Sequence, residues 1–103
     1  MTPTTPHIPE PTEEALAIAK ASAARLRALG ATRILLFGSL ARGTYVPKES
    51  DIDIYFEGID ERKSDLAMLE IVDEFGEDIV DAIPSDCCPD DIKIRVEEQG
   101  VPL

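Results

Sequence analysis

Apolar and polar residues follow one another along the chain with a period that changes from segment to segment. Residues 34–37 are all apolar, a short run that is typical of a buried strand. Residues 51–54 alternate acidic and apolar side chains, so we expect a second strand over 51–56 with one polar and one apolar face. Residues 78–83 mix aspartates with apolar residues and precede Pro84, which predicts a third strand that ends there.

A helical period predicts a first helix ahead of these strands. It begins with Thr12 as its N-cap, carries acidic residues in its first turn and ends at Gly30. Its apolar stripe, expected to pack on the sheet, is Leu16, Ala19, Ala23 and Leu26. Residues 1–11 are rich in proline, which blocks helices and sheet ladders. We therefore expect a flexible tail over 1–11 and one folded domain over 12–103.

The same period predicts two further helices. One is capped by Asp60, runs to about Phe75 and stops at Gly76. Its apolar face, expected to lie in the core, is Leu66, Leu69, Val72 and Phe75. The last helix begins at Asp90 or Asp91.

The charge balance restricts the partners that the protein can hold. The chain has 103 residues, of which 10 are basic and 21 acidic, and its formal net charge is −11 at pH 7. Proteins that grip nucleic acid through phosphates normally present a basic patch, so this balance argues against direct nucleic-acid binding. The negative charge does not exclude a nucleotide that is bound through a metal ion, and it favours a basic protein partner.

The cysteines and the hydropathy pattern bear on the compartment. Cys87 and Cys88 are adjacent, a spacing that suits neither a zinc knuckle nor a loop-closing disulfide, so we expect free thiols. No apolar run is long enough to span a membrane, and the N-terminus lacks a charged region followed by an apolar one. We therefore expect a cytoplasmic protein.

The acid pair at the start of the second strand is the first candidate for chemistry. Asp51 and Asp53 point to the same face of a strand, while Ile52 and Ile54 point to the other. Two carboxylates side by side repel each other unless a cation lies between them. Mg²⁺ or Mn²⁺ binds carboxylate oxygens readily and usually shares its coordination shell with substrate phosphates.

The turn after the first strand is the second candidate. Gly38 lets the backbone approach a ligand closely, and the following amides and the Ser39 hydroxyl can point at anionic oxygens. Arg42, just downstream, can clamp a phosphate with two hydrogen bonds. Each feature alone is common in structural roles, but their order along the chain favours a metal-dependent nucleotide site.

That order resembles the nucleotidyltransferase superfamily of the DNA polymerase beta type, and within it the minimal nucleotidyltransferases. The residues that carry the resemblance are GSLARG at 38–43, SDIDI at 50–54 and the closing segment 92–101. The resemblance implies an α+β fold: a small mixed β-sheet of three to four strands flanked by helices, in the order α-β-(short α)-β-α-β-α. It also implies nucleotide binding by Gly38, Ser39, Arg42 and Gly43.

The resemblance further implies two Mg²⁺ ions, with Mn²⁺ as a substitute, held by Asp51, Asp53 and a third acid from the next strand. Asp81 matches that acid because it lies among apolar residues, where a carboxylate is costly unless it is paired or bound to metal. Asp78, at the strand entrance, is the competing assignment. In the mechanism that the resemblance implies, an acceptor hydroxyl attacks the α-phosphorus of ATP and pyrophosphate leaves.

The resemblance to minimal nucleotidyltransferases also implies a protein partner. Many are antitoxins of HEPN-type toxins, and some transfer AMP to a tyrosine hydroxyl of the toxin. We expect the same here, because a chain of this size lacks an added domain to grip an acceptor. Two alternatives stay open: an antitoxin subunit that only binds its partner, with a vestigial or nucleotide-sensing site, and nucleotide transfer to a small molecule such as an aminoglycoside.

Overall fold

The computed structural model describes residues 10–46 and 49–103, and a four-stranded sheet forms its centre. The strands are β1 (Arg33–Phe37), β2 (Ile52–Glu57), β3 (Val80–Pro84) and β4 (Val101–Pro102). In space their order is β3-β2-β1-β4; β1 is antiparallel to β2 and β4, and β2 is parallel to β3. The expected small mixed sheet is confirmed, and the short edge strand β4 is an addition to the expected order.

Helices cover both faces of this sheet. They are α1 (Glu10–Ala28), α2 (Gly38–Arg42), α3 (Glu61–Phe75) and α4 (Asp90–Gln99), with one 3₁₀ turn at Ser85–Cys87. The main core joins α1 and α3 to one sheet face, and a smaller cluster around Val96 of α4 covers the other face. The α+β class and the order of the helices are as expected.

The period-two alternation of β2 decides which face carries the polar groups. Ile52, Ile54 and Phe56 are fully buried against α1 and α3. Asp53 and Tyr55 therefore point to the opposite face, the one that α4 covers, where Tyr55 packs with Val96. Asp53 thus lies on the α4 side of the sheet, whereas Asp51, which precedes β2, lines a cavity with Met68 and Val72 of α3.

The ends of α1 differ slightly from expectation. The helix begins at Glu10 rather than after a Thr12 cap, and the first turn is the position in a helix that tolerates Pro11. Of the expected tail, residues 1–9 lie outside the described residues. The expected stripe is buried at Ala19, Ala23 and Leu26, and Leu16 is half-buried.

The ends of α3 are as expected, but its predicted core face is only partly correct, since Phe75 packs against the main core and Val72 is half-buried whereas the two leucines are exposed. Asp60 caps the helix by accepting a hydrogen bond from the Lys63 backbone amide at 2.9 Å, and Gly76 follows its last turn. Leu66 is 47 % exposed and Leu69 is 67 % exposed. The residues that are buried instead are Ser64, Ala67 and Ile71.

The physical reason for this difference is the close contact between α3 and α1. The buried side of α1 is built largely of alanines, and the side of α3 that contacts it carries the small residues Ser64 and Ala67 beside Ile71. Leucines at those positions would hold the helices apart. Apolar periodicity identifies an amphipathic helix, but it does not show which neighbour decides the buried face.

Two further observations concern the surface. Cys87 and Cys88 carry free thiols, Cys87 being exposed. Over residues 10–46 and 49–103, the structure contains no helix with the length and apolar character needed to cross a bilayer.

Candidate active site

Strand pairing brings two of the three candidate acids, Asp53 and Asp81, side by side. Asp53 of β2 lies directly across from Asp81 of β3 in the parallel register. Asp51 immediately precedes β2, so the strand register that positions Asp53 does not extend to it. The negative charges of both neighbours act on the Asp53 carboxyl. Asp78 lies before β3 with a φ of 60°, so strand register makes Asp81, not Asp78, the acid beside Asp53.

Gly38 is fixed against Asp53 by direct contact. It follows Phe37, which pairs with Asp53 in the antiparallel register of β1 and β2. A Cβ atom at Gly38 would lie 2.1 Å from the Asp53 Oδ2 atom, and the backbone φ of Gly38 is +76°. The left-handed conformation favours glycine at this position, and any larger residue would also displace the Asp53 carboxylate. The turn and the acid pair, separate in the sequence, form one site in the fold.

A cavity of about 250 Å³ opens beside this contact, and we call it the Gly-Ser cavity. Most of the expected nucleotide-binding residues line it together with two of the acids. The cavity is lined by one glycine and six polar residues, which are Gly38, Ser39, Arg42, Ser50, Asp53, Asp81 and Arg95. The Arg42 Nη1 atom donates a hydrogen bond to Gln99 Oε1 of α4 at 3.3 Å, so α4 helps to hold this arginine.

Arg95 is the site residue that the sequence did not indicate. It lies on α4, next to Val96, whose burial fixes that helix on the sheet. Arg25 and Arg33 form ion pairs elsewhere, whereas no ion pair of Arg95 occurs within residues 10–46 and 49–103. In the sequence, Arg95 resembles Lys93 of the same helix, and only the docking of α4 distinguishes them.

Gly43, expected to bind nucleotide, does not line the Gly-Ser cavity. It ends α2 in the left-handed conformation with a φ of +80°, and a Cβ atom there would meet nothing within 4 Å. The geometry gives Gly43 the role of a helix C-cap.

A second cavity of about 460 Å³ lies on the other side of Asp81, and we call it the acid-rimmed cavity. Its lining residues are Asp51, Met68, Val72, Glu77, Asp78, Val80 and Asp81. Asp53 lines only the Gly-Ser cavity and Asp51 only the acid-rimmed one, while Asp81 lines both. Asp81 therefore stands where the contents of the two cavities would meet.

The electrostatics of the site match the chemistry of a divalent cation. Partial burial, then the charges of Asp81 and Asp51, raise the pKa of Asp53 to about 6, and Arg42 opposes the rise. Carboxylates that destabilise one another are the donor set that Mg²⁺ or Mn²⁺ neutralises. Across the described ranges, no group of three or more acidic, histidine or cysteine side chains is placed so that it could hold a metal ion. The neighbouring carboxylates of Asp53 and Asp81 fit the donor chemistry of the ion, but Asp51 does not join them in a three-ligand group in this structure.

Asp53→Asn is expected to stabilise the protein at neutral pH when divalent ions are chelated. Because the folded pKa is raised from 3.8 to about 6, the folded state holds this proton more tightly than the unfolded chain. The ionised carboxyl therefore costs stability, increasingly from about pH 4 to about pH 6 and constantly above. We expect a gain of about 1 kcal/mol after solvent screening, or about 4–8 °C in Tm.

Thermal unfolding in EDTA at about pH 7.5 and about pH 4 measures this effect. The Tm advantage of Asp53→Asn should disappear at the lower pH. Exposed Asp73 on α3 provides the control, since Asp73→Asn should change Tm little at either pH. A lower Tm for Asp53→Asn at neutral pH would show that the repulsion among the acids does not destabilise the fold.

Comparison with known proteins identifies a family. The sequence model of the nucleotidyltransferase domain matches residues 18–101. No protein with a curated description matches the chain significantly. The solved structure of a nucleotidyltransferase from Sulfolobus solfataricus is 30% identical with a TM-score of 0.54, over 90% of this chain and 82% of that chain.

Two further solved structures share the fold. A minimal nucleotidyltransferase is 23% identical with a TM-score of 0.72, over 89% of this chain and 95% of that chain. A toxin–antitoxin structure with AMP-PNP is 24% identical with a TM-score of 0.65, over 82% of this chain and 70% of that chain. Because the family match spans 18–101, and so includes the turn, the acid pair and Asp81, the chain belongs to the nucleotidyltransferase domain family and is a nucleotidyltransferase.

Proposed function

We propose that this protein transfers AMP from ATP to a hydroxyl of a partner protein, a tyrosine of a HEPN-type toxin, and so acts as its antitoxin. The observation that supports this most is the joining of Asp53, Asp81, Ser39 and the arginines Arg42 and Arg95 in one cavity. Of the proteins that share the fold, one is a toxin–antitoxin solved with AMP-PNP and another a toxin–antitoxin MntA-HpeT mutant.

Asp51, Asp53 and Asp81 would hold Mg²⁺, as two ions, with Mn²⁺ as a substitute. When bound, Mg²⁺ supplies charge neutralisation of the phosphates and polarisation of the attacking hydroxyl. ATP and Mg²⁺ are abundant in the cytoplasm, where we place the reaction.

The residues of the Gly-Ser cavity bind and orient the nucleotide. The Ser39 hydroxyl donates a hydrogen bond to a phosphate oxygen, and Gly38 leaves space for the phosphate chain against the sheet. The guanidinium groups of Arg42 and Arg95 bind the β- and γ-phosphates with paired hydrogen bonds. Gln99 holds Arg42 on the side of α4 and so reduces the freedom lost when ATP binds.

Asp81 completes the chemistry because it lines both cavities. The acceptor hydroxyl approaches from the acid-rimmed cavity, and Asp81 accepts its proton. The hydroxyl oxygen forms a bond to the α-phosphorus, the bond from that phosphorus to the bridging oxygen breaks, and pyrophosphate leaves with the electron pair. The protein forms no covalent bond to the substrates. It accelerates the reaction by positioning the acceptor hydroxyl and ATP and by neutralising the charge of the phosphates.

An intact-mass experiment tests the proposal. The protein is purified together with the protein encoded by the neighbouring gene, and the mass of that partner is compared with and without ATP and Mg²⁺. A gain of one or more AMP units, on a peptide that fragmentation assigns to a tyrosine, supports the proposal. The alternative is neutralisation by binding alone. It would be supported by a stable complex in which the partner never gains mass and RNA cleavage by the partner is inhibited equally with and without ATP.

Arg95→Ala is expected to raise the KM for ATP about tenfold while leaving kcat less affected, because Arg95 binds phosphates in ground state and transition state alike. Arg95→Lys should recover part of the loss, since lysine keeps the charge but not the paired hydrogen bonds. Initial rates of pyrophosphate release at varied ATP measure both constants.

Lys93→Ala is the matched control, because Lys93 lies on the same helix but lines a different surface cavity with Ile94 and Glu97. Removing this charge should leave the KM for ATP unchanged. Equal effects of the Arg95 and Lys93 variants would mean that Arg95 acts only through the overall charge of α4.

A further inference from the structure

The acid-rimmed cavity combines an apolar floor with an acidic margin. Met68 and Val72 of α3 and Val80 of β3 supply the apolar surface, and Glu77 and Asp78 stand on the connection between these elements. The cavity measures about 460 Å³, enough for a long side chain. It opens onto the catalytic acids through Asp51 and Asp81.

The charges of Glu77 and Asp78 are not needed by the fold. Both side chains are exposed, and neither forms an ion pair with another residue in the part of the chain that the structure describes. Bound metal would neutralise Asp51 and Asp81, so Glu77 and Asp78 would determine the remaining charge of the cavity. Lysine and arginine have an apolar stem and a cationic end. The stem matches the apolar surface of the cavity, and the cationic end matches its acidic margin.

We propose that the acid-rimmed cavity binds a lysine or arginine side chain adjacent to the acceptor hydroxyl, so that the enzyme selects acceptor segments that are cationic. The inference rests on the proposed function and specifies its acceptor. Asp81 is the link, because it faces this cavity on one side and the Gly-Ser cavity on the other. A cationic side chain seated on Met68 would bring its neighbouring hydroxyl to Asp81.

The chain offers a direct probe of this cavity. It contains 2 methionines, Met1 and Met68, so ¹³C-methyl methionine labelling gives two resonances, one of which reports on the cavity. The probes are two short capped peptides, one containing Tyr-Lys and the other Tyr-Gln, titrated in excess Mg²⁺. We expect the Tyr-Lys peptide to shift the Met68 signal with a Kd in the millimolar range, and the Tyr-Gln peptide to bind about fivefold more weakly.

The double variant Glu77→Gln/Asp78→Asn should remove the preference for the Tyr-Lys peptide. Asparagine tolerates the positive φ of Asp78, so the backbone is expected to stay in place. The control pair Asp65→Asn/Asp86→Asn removes the same formal charge from another cavity, one that contains none of the catalytic acids, and should leave the preference unchanged.

Equal shifts with both peptides, no shift with either, or loss of the preference in the control pair would each overturn the inference. The last result would assign the attraction to the overall negative charge of the protein. This binding test is independent of transfer: peptide selection without any mass gain of the partner would refute the proposed function alone, and mass gain without selection would refute the inference alone.

Discussion

The double substitution Asp51→Asn/Asp53→Asn is expected to reduce AMP transfer by about a thousandfold or more, because both carboxylates that would hold the metal are lost together. Asparagine keeps the size of each side chain, so the fold should persist, and removing the mutual repulsion should raise Tm. The intact mass of the partner over time measures transfer, and circular dichroism confirms that the variant is folded.

The control pair Asp65→Asn/Asp86→Asn makes the same change of charge in exposed acids outside the site and should transfer AMP at the wild-type rate. If the Asp51/Asp53 variant still neutralises the toxin in cells as well as the wild type does, protection does not depend on transfer. If it also transfers AMP at the wild-type rate, the assignment of these acids is wrong.

Gly38→Ala is expected to reduce transfer by about a hundredfold and to destabilise the protein. The new methyl group would lie 2.1 Å from Asp53 Oδ2 and 3.0 Å from Asp53 Cγ, so the carboxylate has to leave its present position in the Gly-Ser cavity. The φ of +76° adds about 1–2 kcal/mol of backbone strain. Initial rates of AMP transfer at saturating ATP, together with urea unfolding, separate the loss of activity from the loss of stability.

The variant Gly43→Ala distinguishes the contact with Asp53 from backbone strain as the cause of the lost activity. Gly43 has nearly the same backbone conformation, with a φ of +80°, but its Cβ atom would meet nothing within 4 Å. It should therefore show the strain cost in urea and retain most of the transfer activity. If both variants lose activity equally, the contact with Asp53 is not the cause of the loss, and the nucleotide-binding role predicted for Gly43 from the sequence would be supported.

The local signals in the sequence were sufficient for most of the elements. Asp60 and Gly76 define the ends of α3 because a cap and a stop act through the nearest backbone groups. The alternation in β2 predicted one apolar and one polar face because side-chain direction in a strand depends only on position along it. The GS turn, the ARG segment and the acid pair were likewise visible as short-range patterns.

Features that depend on a neighbouring element were not visible. Leu66 and Leu69 have the spacing of core residues, yet they are exposed because α3 docks with Ser64, Ala67 and Ile71 on its buried side. The edge strand β4 is only two residues long, and its pairing with β1 gives no local signal. That Asp81 rather than Asp78 lies beside Asp53 likewise depends on the register of β3 on β2.

By itself, the sequence determined the element types, the α+β class, the resemblance to nucleotidyltransferases and the candidate residues of the turn and the acid pair, because each follows from local periodicity or from a contiguous motif. Only the tertiary structure decided that Gly38 touches Asp53, that Arg95 joins the Gly-Ser cavity, and that Asp81 separates it from the acid-rimmed cavity. Those relations arise from strand register and from the docking of α4, which depend on contacts between residues far apart in the chain.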